Sequence, residues 1–119
     1  MGTGTGTLAV ALSDKVGCIT ATDLSSKMLA LAKGKAARRG VANIYFEEQD
    51  VFALPYADES YEAVLAANIL HLLPQTRKAV RELYRVTTPG GLIAVPTFMH
   101  HQNRRVRLFS FFMRLVGFK

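Results

Sequence analysis

Three glycines, Gly2, Gly4 and Gly6, alternate with threonines at the start of the chain. Glycine lets the backbone turn sharply and lets a ligand approach the main chain. A helix expected at residues 8–13 would add free N–H groups and a positive dipole end, which suit a carboxylate or a phosphate. The segment therefore predicts an anion-binding loop, although a disordered Gly/Thr tail would read the same way.

Asp23 follows Gly6 at about the spacing at which an acidic side chain meets the ribose hydroxyls in dinucleotide-binding folds. A carboxylate can accept hydrogen bonds from both hydroxyls. The alternative is that Asp23 caps the helix expected to begin near Ser25. We favour ribose binding over capping.

Further polar residues follow two later strands of the expected sheet. Asp50 could accept a hydrogen bond from an adenine amino group while Val51 packs on the ring, although an ordinary loop acid is the simpler interpretation of Asp50 alone. Asn68 could hold the amino-acid end of a cofactor. His71 could be a base, a substrate contact or a structural histidine. No group of His, Cys, Asp and Glu has metal-ligand spacing, so no metal is expected.

Strands alternating with helices must position these residues. Apolar runs and helical stripes alternate along the chain, which favours a Rossmann-like three-layer α/β/α fold with a mostly parallel sheet. Ligands of such sheets bind at the carboxyl ends of the strands, where the candidate residues fall. The expected strands are 17–22, 43–48, 62–67 and 92–97, and the expected helices are 8–13, 25–39 and 75–86.

The charge of +6 is concentrated near the end of the chain, because residues 100–119 contain five basic and no acidic residues. We expect one domain over residues 1–119, with a basic amphipathic helix within residues 103–119. That helix could contact an anionic membrane surface or, less favourably, nucleic acid, but packing on the sheet is the simpler role. The single cysteine, Cys18, and the lack of a signal peptide favour the cytoplasm.

Taken together, these motifs resemble the class I S-adenosylmethionine-dependent methyltransferases, especially the small-molecule group that includes quinone-biosynthesis enzymes. The matching segments are GTGTGTLA, ATDLSSKML, QDVFALPYADESYEAV, AANILHLLP and LYRVTTPGGLIAV, in the family's order. The resemblance implies methyl transfer from S-adenosylmethionine to a small-molecule acceptor. It also implies a set of cofactor-binding residues: Gly2, Gly4, Gly6, Asp23, Leu24, Met28, Asp50, Val51 and Asn68. His71 is the one candidate for a catalytic base.

The sequence departs from the family pattern at both ends. The family's central first strand, which ends in an acidic residue, and its last two strands have no counterpart, so the chain looks like a fragment truncated at both ends. We expect four strands in two parallel pairs, self-association through exposed strand edges, and weak or no activity. One alternative is an NAD-type oxidoreductase domain, because Gly4 to Ala9 satisfies G-x-G-x-x-A. The other is a non-catalytic module that binds a membrane or nucleic acid through its basic tail.

Overall fold

The computed structural model describes residues 1–67, 69–99 and 107–114, which divide into two compact units, Met1–Asp50 and Val51–Lys119. The first unit contains α1 (Thr7–Leu12), β1 (Ile19–Asp23), α2 (Ser26–Arg38) and β2 (Ile44–Glu48). The second contains β3 (Tyr61–Leu65), a 3-10 turn (Leu70–Leu72), α3 (Thr76–Val86), β4 (Thr87–Met99) and β5 (Arg107–Arg114).

In the first unit, α2 covers a parallel pair of strands. Ser25 caps the helix, since its Oγ accepts a hydrogen bond from the Met28 N–H at 3.3 Å. Gly40, with φ of 65°, follows the C-terminus in the left-handed conformation that glycine tolerates. β1 and β2 run in register from Ile19 opposite Ile44. The core consists of small and medium apolar residues: Ala9, Val10, Ala21, Leu29, Ala32 and Ala36.

In the second unit, β4 pairs with β3 in parallel and with β5 antiparallel. The register of the parallel pair jumps between Tyr61 and Ala63, because residues 88–91 bulge out of β4. A Cβ on Gly91 would lie 2.7 Å from the Glu62 carbonyl oxygen, so only glycine fits at this bulge. The fully buried side chains of Leu83 and Val86 hold α3 in the core.

The four strands expected from the sequence are present, and they form two parallel pairs as predicted. The helix expected within residues 103–119 is wrong for residues 107–114, which form β5. This segment holds three phenylalanines, which favour strands, and its apolar residues also fit helical spacing, so periodicity alone could not decide. Pairing with Leu92–Met99 supplies hydrogen bonds that a helix would not give to β4.

Candidate functional site

The glycine loop, residues 1–7, is fastened to the end of β1. Its three glycines have positive φ angles of 61°, 53° and 76°, a conformation that is costly for other residues. The Thr3 N–H donates to the Thr22 carbonyl at 2.9 Å, and the Gly6 N–H donates back to the Thr3 carbonyl at 2.9 Å. No atom lies within 4 Å of the position a Cβ on Gly4 would take, so the main chain is open to a ligand there.

Asp23 lies at the junction between the loop and β1. Its Oδ2 accepts a hydrogen bond from the Gly4 N–H at 2.9 Å, and its Oδ1 accepts one from the Ser25 N–H at 2.9 Å. Ser25, rather than Asp23, is the N-cap of α2. A carboxylate oxygen can accept more than one hydrogen bond, so both oxygens of this half-buried, oriented group retain acceptor capacity.

Other predicted cofactor residues flank Asp23 within the first unit. Leu24 is 63% exposed and Met28 is 42% exposed, so both offer apolar surface to a ligand. The Gln49 N–H donates to the Asp23 carbonyl at 3.1 Å, which brings the end of β2 beside Asp23. Asp50 follows directly and is exposed. The structure thus brings Gly4, Asp23 and the Asp50 segment to one edge.

The remaining predicted residues belong to the second unit or lie outside the described residues. Val51 is buried, with 6% of its surface exposed. His71 lies in the 3-10 turn Leu70–Leu72, which follows the carboxyl end of β3. Asn68 is outside the described residues.

Lys35 was not predicted to take part in the site. The sequence indicates only a cation in the last turn of α2, where it complements the helix dipole. In the structure its Nζ donates to Thr7 Oγ1 at 2.7 Å and to Thr5 Oγ1 at 3.3 Å. The sequence feature that could have indicated this contact is the pair of threonines flanking Gly6, because two neighbouring hydroxyls can accept hydrogen bonds from one ammonium.

A second unpredicted feature is the Arg85 clamp, formed by Arg85, Glu82 and Asp58 with the backbone of residues 54–56. The Arg85 guanidinium makes a two-point contact with Glu82, at 2.9 and 3.0 Å, and pairs with Asp58 at 2.9 Å. It also donates to the Tyr56 carbonyl at 2.7 Å and the Leu54 carbonyl at 3.0 Å, so all five N–H donors are used.

Glu82 completes the clamp from the other side by accepting a hydrogen bond from the Leu54 N–H at 2.9 Å. The hydrogen bond from Arg85 is the main cause that lowers the pKa of Glu82. Glu82 and Asp58 in turn raise the pKa of Arg85, which stays charged. The clamp fixes the loop between β2 and β3. In the sequence, only the E-x-x-R pair on α3 indicates the clamp, and its third member, Asp58, is too distant in sequence to be assigned from a local pattern.

Three further observations bear on the site. A shallow depression lined by Glu62 and residues 88–92 lies near the start of β3, away from the carboxyl ends where parallel sheets bind ligands. Among the residues that the structure describes, no group of three or more His, Cys, Asp or Glu side chains could hold a metal ion. None of the helices in the described ranges has the length and apolarity needed to cross a bilayer.

Comparisons with known proteins agree with this geometry. The family model of the methyltransferase domain matches residues 1–91. The chain is 41% identical, over 98 residues, to the ubiquinone/menaquinone biosynthesis C-methyltransferase UbiE of Bdellovibrio bacteriovorus, covering 81% of this chain and 41% of that protein. It is 38% identical to the demethylmenaquinone methyltransferase of Thermus thermophilus, covering 82% of this chain and 45% of that protein. The chain thus spans less than half the length of these curated relatives.

Solved structures give the same picture of the fold. The YcgJ protein of Bacillus subtilis superposes with a TM-score of 0.79 at 28% identity, covering 86% of this chain and 44% of that one. A SAM-dependent methyltransferase from Aquifex aeolicus gives a TM-score of 0.79 at 25% identity, covering 87% of this chain and 57% of that one. These likenesses confirm the Rossmann-like α/β fold. The chain therefore belongs to the methyltransferase domain family, and S-adenosylmethionine is the cofactor of its class.

Proposed function

We propose that this chain binds S-adenosylmethionine for methyl transfer to a small-molecule acceptor, with the glycine loop and Asp23 as its main cofactor contacts. The observation that carries the proposal is the junction at which the Asp23 carboxylate holds the Gly4 N–H at 2.9 Å. One charged group thereby ties the loop to the strand end where parallel sheets bind ligands.

The residues present fit the cofactor. The open main chain at Gly4 suits the amino-acid end. The remaining acceptor capacity of Asp23 suits the ribose hydroxyls, and exposed Leu24 and Met28 offer apolar contacts to the adenosine part. Gly2, Gly6, Asp50, Val51 and Asn68 complete the proposed cofactor set.

The cofactor supplies a methyl group already activated on a sulfonium, so the chain's own residues need only bind, orient and exclude water. His71 is proposed as a base that takes a proton from the acceptor. The departing thioether is neutral and needs no proton, so no general acid is required, and a base is needed only where the acceptor still carries the proton that the methyl group replaces.

The acceptor is proposed to be a quinone-type aromatic ring. Both relatives described above carry quinone-biosynthesis names, which supports this class. The match covers only 41% and 45% of those relatives, so no acceptor contact is assigned to this chain. A cytoplasmic location belongs to the same proposal.

Calorimetric titration tests the cofactor. We expect S-adenosylhomocysteine, the demethylated product, to bind and NADH to give no heat of binding. NADH binding without a response to S-adenosylhomocysteine would overturn the proposal in favour of an oxidoreductase domain. Sinefungin, a non-reactive analogue that also carries an amino-acid end, should compete with S-adenosylhomocysteine.

Two proposals about partners rest on the sequence. Contact with a membrane surface was expected through an amphipathic helix at the basic end of the chain, but residues 107–114 form a strand. If this contact exists, the protein should bind anionic vesicles and the binding should weaken as the salt concentration rises. Self-association through strand edges predicts a sedimentation coefficient that rises with protein concentration, and a concentration-independent monomer would contradict it.

A further inference from the structure

We propose that Lys35 is a positioning residue, which holds the glycine loop in the shape that receives the amino-acid end of the cofactor. This inference rests on the proposed function for its ligand. The geometry of the Lys35 bridge is independent of the proposed function, because Lys35 contacts Thr5 and Thr7 within the first unit.

The Lys35 ammonium bridges the two threonines that flank Gly6. Its Nζ donates to Thr7 Oγ1 at 2.7 Å and to Thr5 Oγ1 at 3.3 Å, and the two hydroxyl oxygens lie 3.3 Å apart. One ammonium has three donors, so it can satisfy both hydroxyls at once. The bridge closes over the residue at which the loop turns into α1.

The same part of the loop packs on α2 directly beneath this bridge. A Cβ on Gly6 would lie 2.8 Å from the Ala32 Cβ and 3.2 Å from its Cα, so the loop backbone touches the helix. Ala32 precedes Lys35 by three residues, and residues at this spacing are neighbours on a helix face. The small side chain of Ala32 permits the close approach, and the long one of Lys35 reaches over it.

The loop therefore has two separate attachments with different consequences. Asp23 fixes Gly4 from the strand side, and it is the residue suited to the ribose. Lys35 fixes Thr5 and Thr7 from the helix side, in the part of the loop proposed to receive the amino-acid end. Loosening the helix side should impair binding of the amino-acid end and leave binding of the nucleoside part intact.

Two ligands that differ in this end provide the test. S-adenosylhomocysteine carries the amino-acid end, whereas 5′-methylthioadenosine has the same nucleoside and sulfur without it. For Lys35→Met in the full chain, we expect the Kd of S-adenosylhomocysteine to rise about two- to tenfold, the range for a modest hydrogen bond. The Kd of 5′-methylthioadenosine should be unchanged. Lys33→Met removes the same charge from an exposed position of α2 and should change neither.

The bridge also predicts coupling between its two sides. If Lys35 acts through the threonine hydroxyl, Lys35→Met combined with Thr7→Val should weaken S-adenosylhomocysteine binding no more than the stronger single variant does. Additive losses, or equal losses for both ligands, would overturn the proposal and make Lys35 a residue of general stability.

Hydrogen exchange gives a readout that needs no cofactor. In the ligand-free protein, Lys35→Met should speed exchange of the Gly6 amide relative to wild type and Lys33→Met, whereas the Gly4 amide, which Asp23 holds, should keep its rate. The amides of β2 should be unaffected. If the wild type binds neither ligand, the proposed function fails and the exchange rates still decide the role of Lys35. Unchanged exchange of the Gly6 amide refutes the positioning role.

Discussion

Replacing Asp23 by alanine should lower both cofactor affinity and stability, and the two effects can be separated. Two charge-assisted hydrogen bonds to ribose hydroxyls contribute about 1.5–3 kcal/mol each, partly replaced by water when lost. At about 1.4 kcal/mol per tenfold, we expect the Kd of 5′-methylthioadenosine to rise roughly 10- to 100-fold. This ligand isolates the nucleoside contacts.

The stability loss follows from the two backbone donors that Asp23 satisfies. Asp23→Ala leaves the N–H groups of Gly4 and Ser25 without their carboxylate partner. Each buried donor left unsatisfied costs about 1–3 kcal/mol, and water reaches this half-buried site. We therefore expect a loss of about 2 kcal/mol in urea unfolding, against a typical total of about 5–15 kcal/mol.

Ser25→Ala is the matched control. It removes only the Ser25 hydroxyl that caps α2, which should cost about 1 kcal/mol, and it leaves the Asp23 carboxylate in place. Both affinities are measured by calorimetry at a temperature where the variants are folded. If Asp23→Ala binds 5′-methylthioadenosine as tightly as Ser25→Ala does, Asp23 only organises the loop and the ribose assignment is refuted.

Three other perturbations test the scaffold. The side-chain amide of Asn43 donates to three carbonyls within the α1–β1 connection, the shortest contact being 2.7 Å. Asn43→Ala should therefore cost about 1–3 kcal/mol in urea unfolding, and an unchanged midpoint would contradict this. Because folding lowers the pKa of Glu82 from 4.5, ionised Glu82 stabilises the fold above pH 4.5, and this stabilisation is lost as the pH falls through the lowered pKa. Glu82→Gln should therefore make the free energy of unfolding less dependent on pH in acid. An identical pH profile would argue against the clamp. Gly91→Ala should cost about 1–3 kcal/mol or more through overpacking against the Glu62 carbonyl, which thermal unfolding would detect as a lower Tm.

Local signals predicted the first unit well. The helix from Ser26 to Arg38 was predicted because its cap at Ser25, its apolar stripe and the terminating Gly40 are all close in sequence. The position of Asp23 followed from strand length and spacing. Its hydrogen bond from the Gly4 N–H could not be predicted, because that bond depends on how the glycine loop folds back, whereas the bond from the Ser25 N–H is a local contact two residues away.

Features that depend on distant partners were missed. Residues 107–114 fit a helix by periodicity, and only pairing with β4 makes them a strand. The Arg85 clamp joins residues about 30 positions apart, and the Lys35 bridge spans 28 and 30 positions. No local pattern specifies which of several basic residues will meet a given acid or hydroxyl.

The Arg85 clamp has a consequence for kinetics. Its hydrogen bonds to Leu54 and Tyr56 form only after the intervening chain has closed into a loop, and closing such loops is entropically slow. We expect these contacts to form after the folding transition state, in which case a loss of stability at the clamp appears mainly in the unfolding rate. We therefore expect the clamp to slow unfolding. Weakening the clamp would shorten the lifetime of the folded second unit and leave its folding rate nearly unchanged.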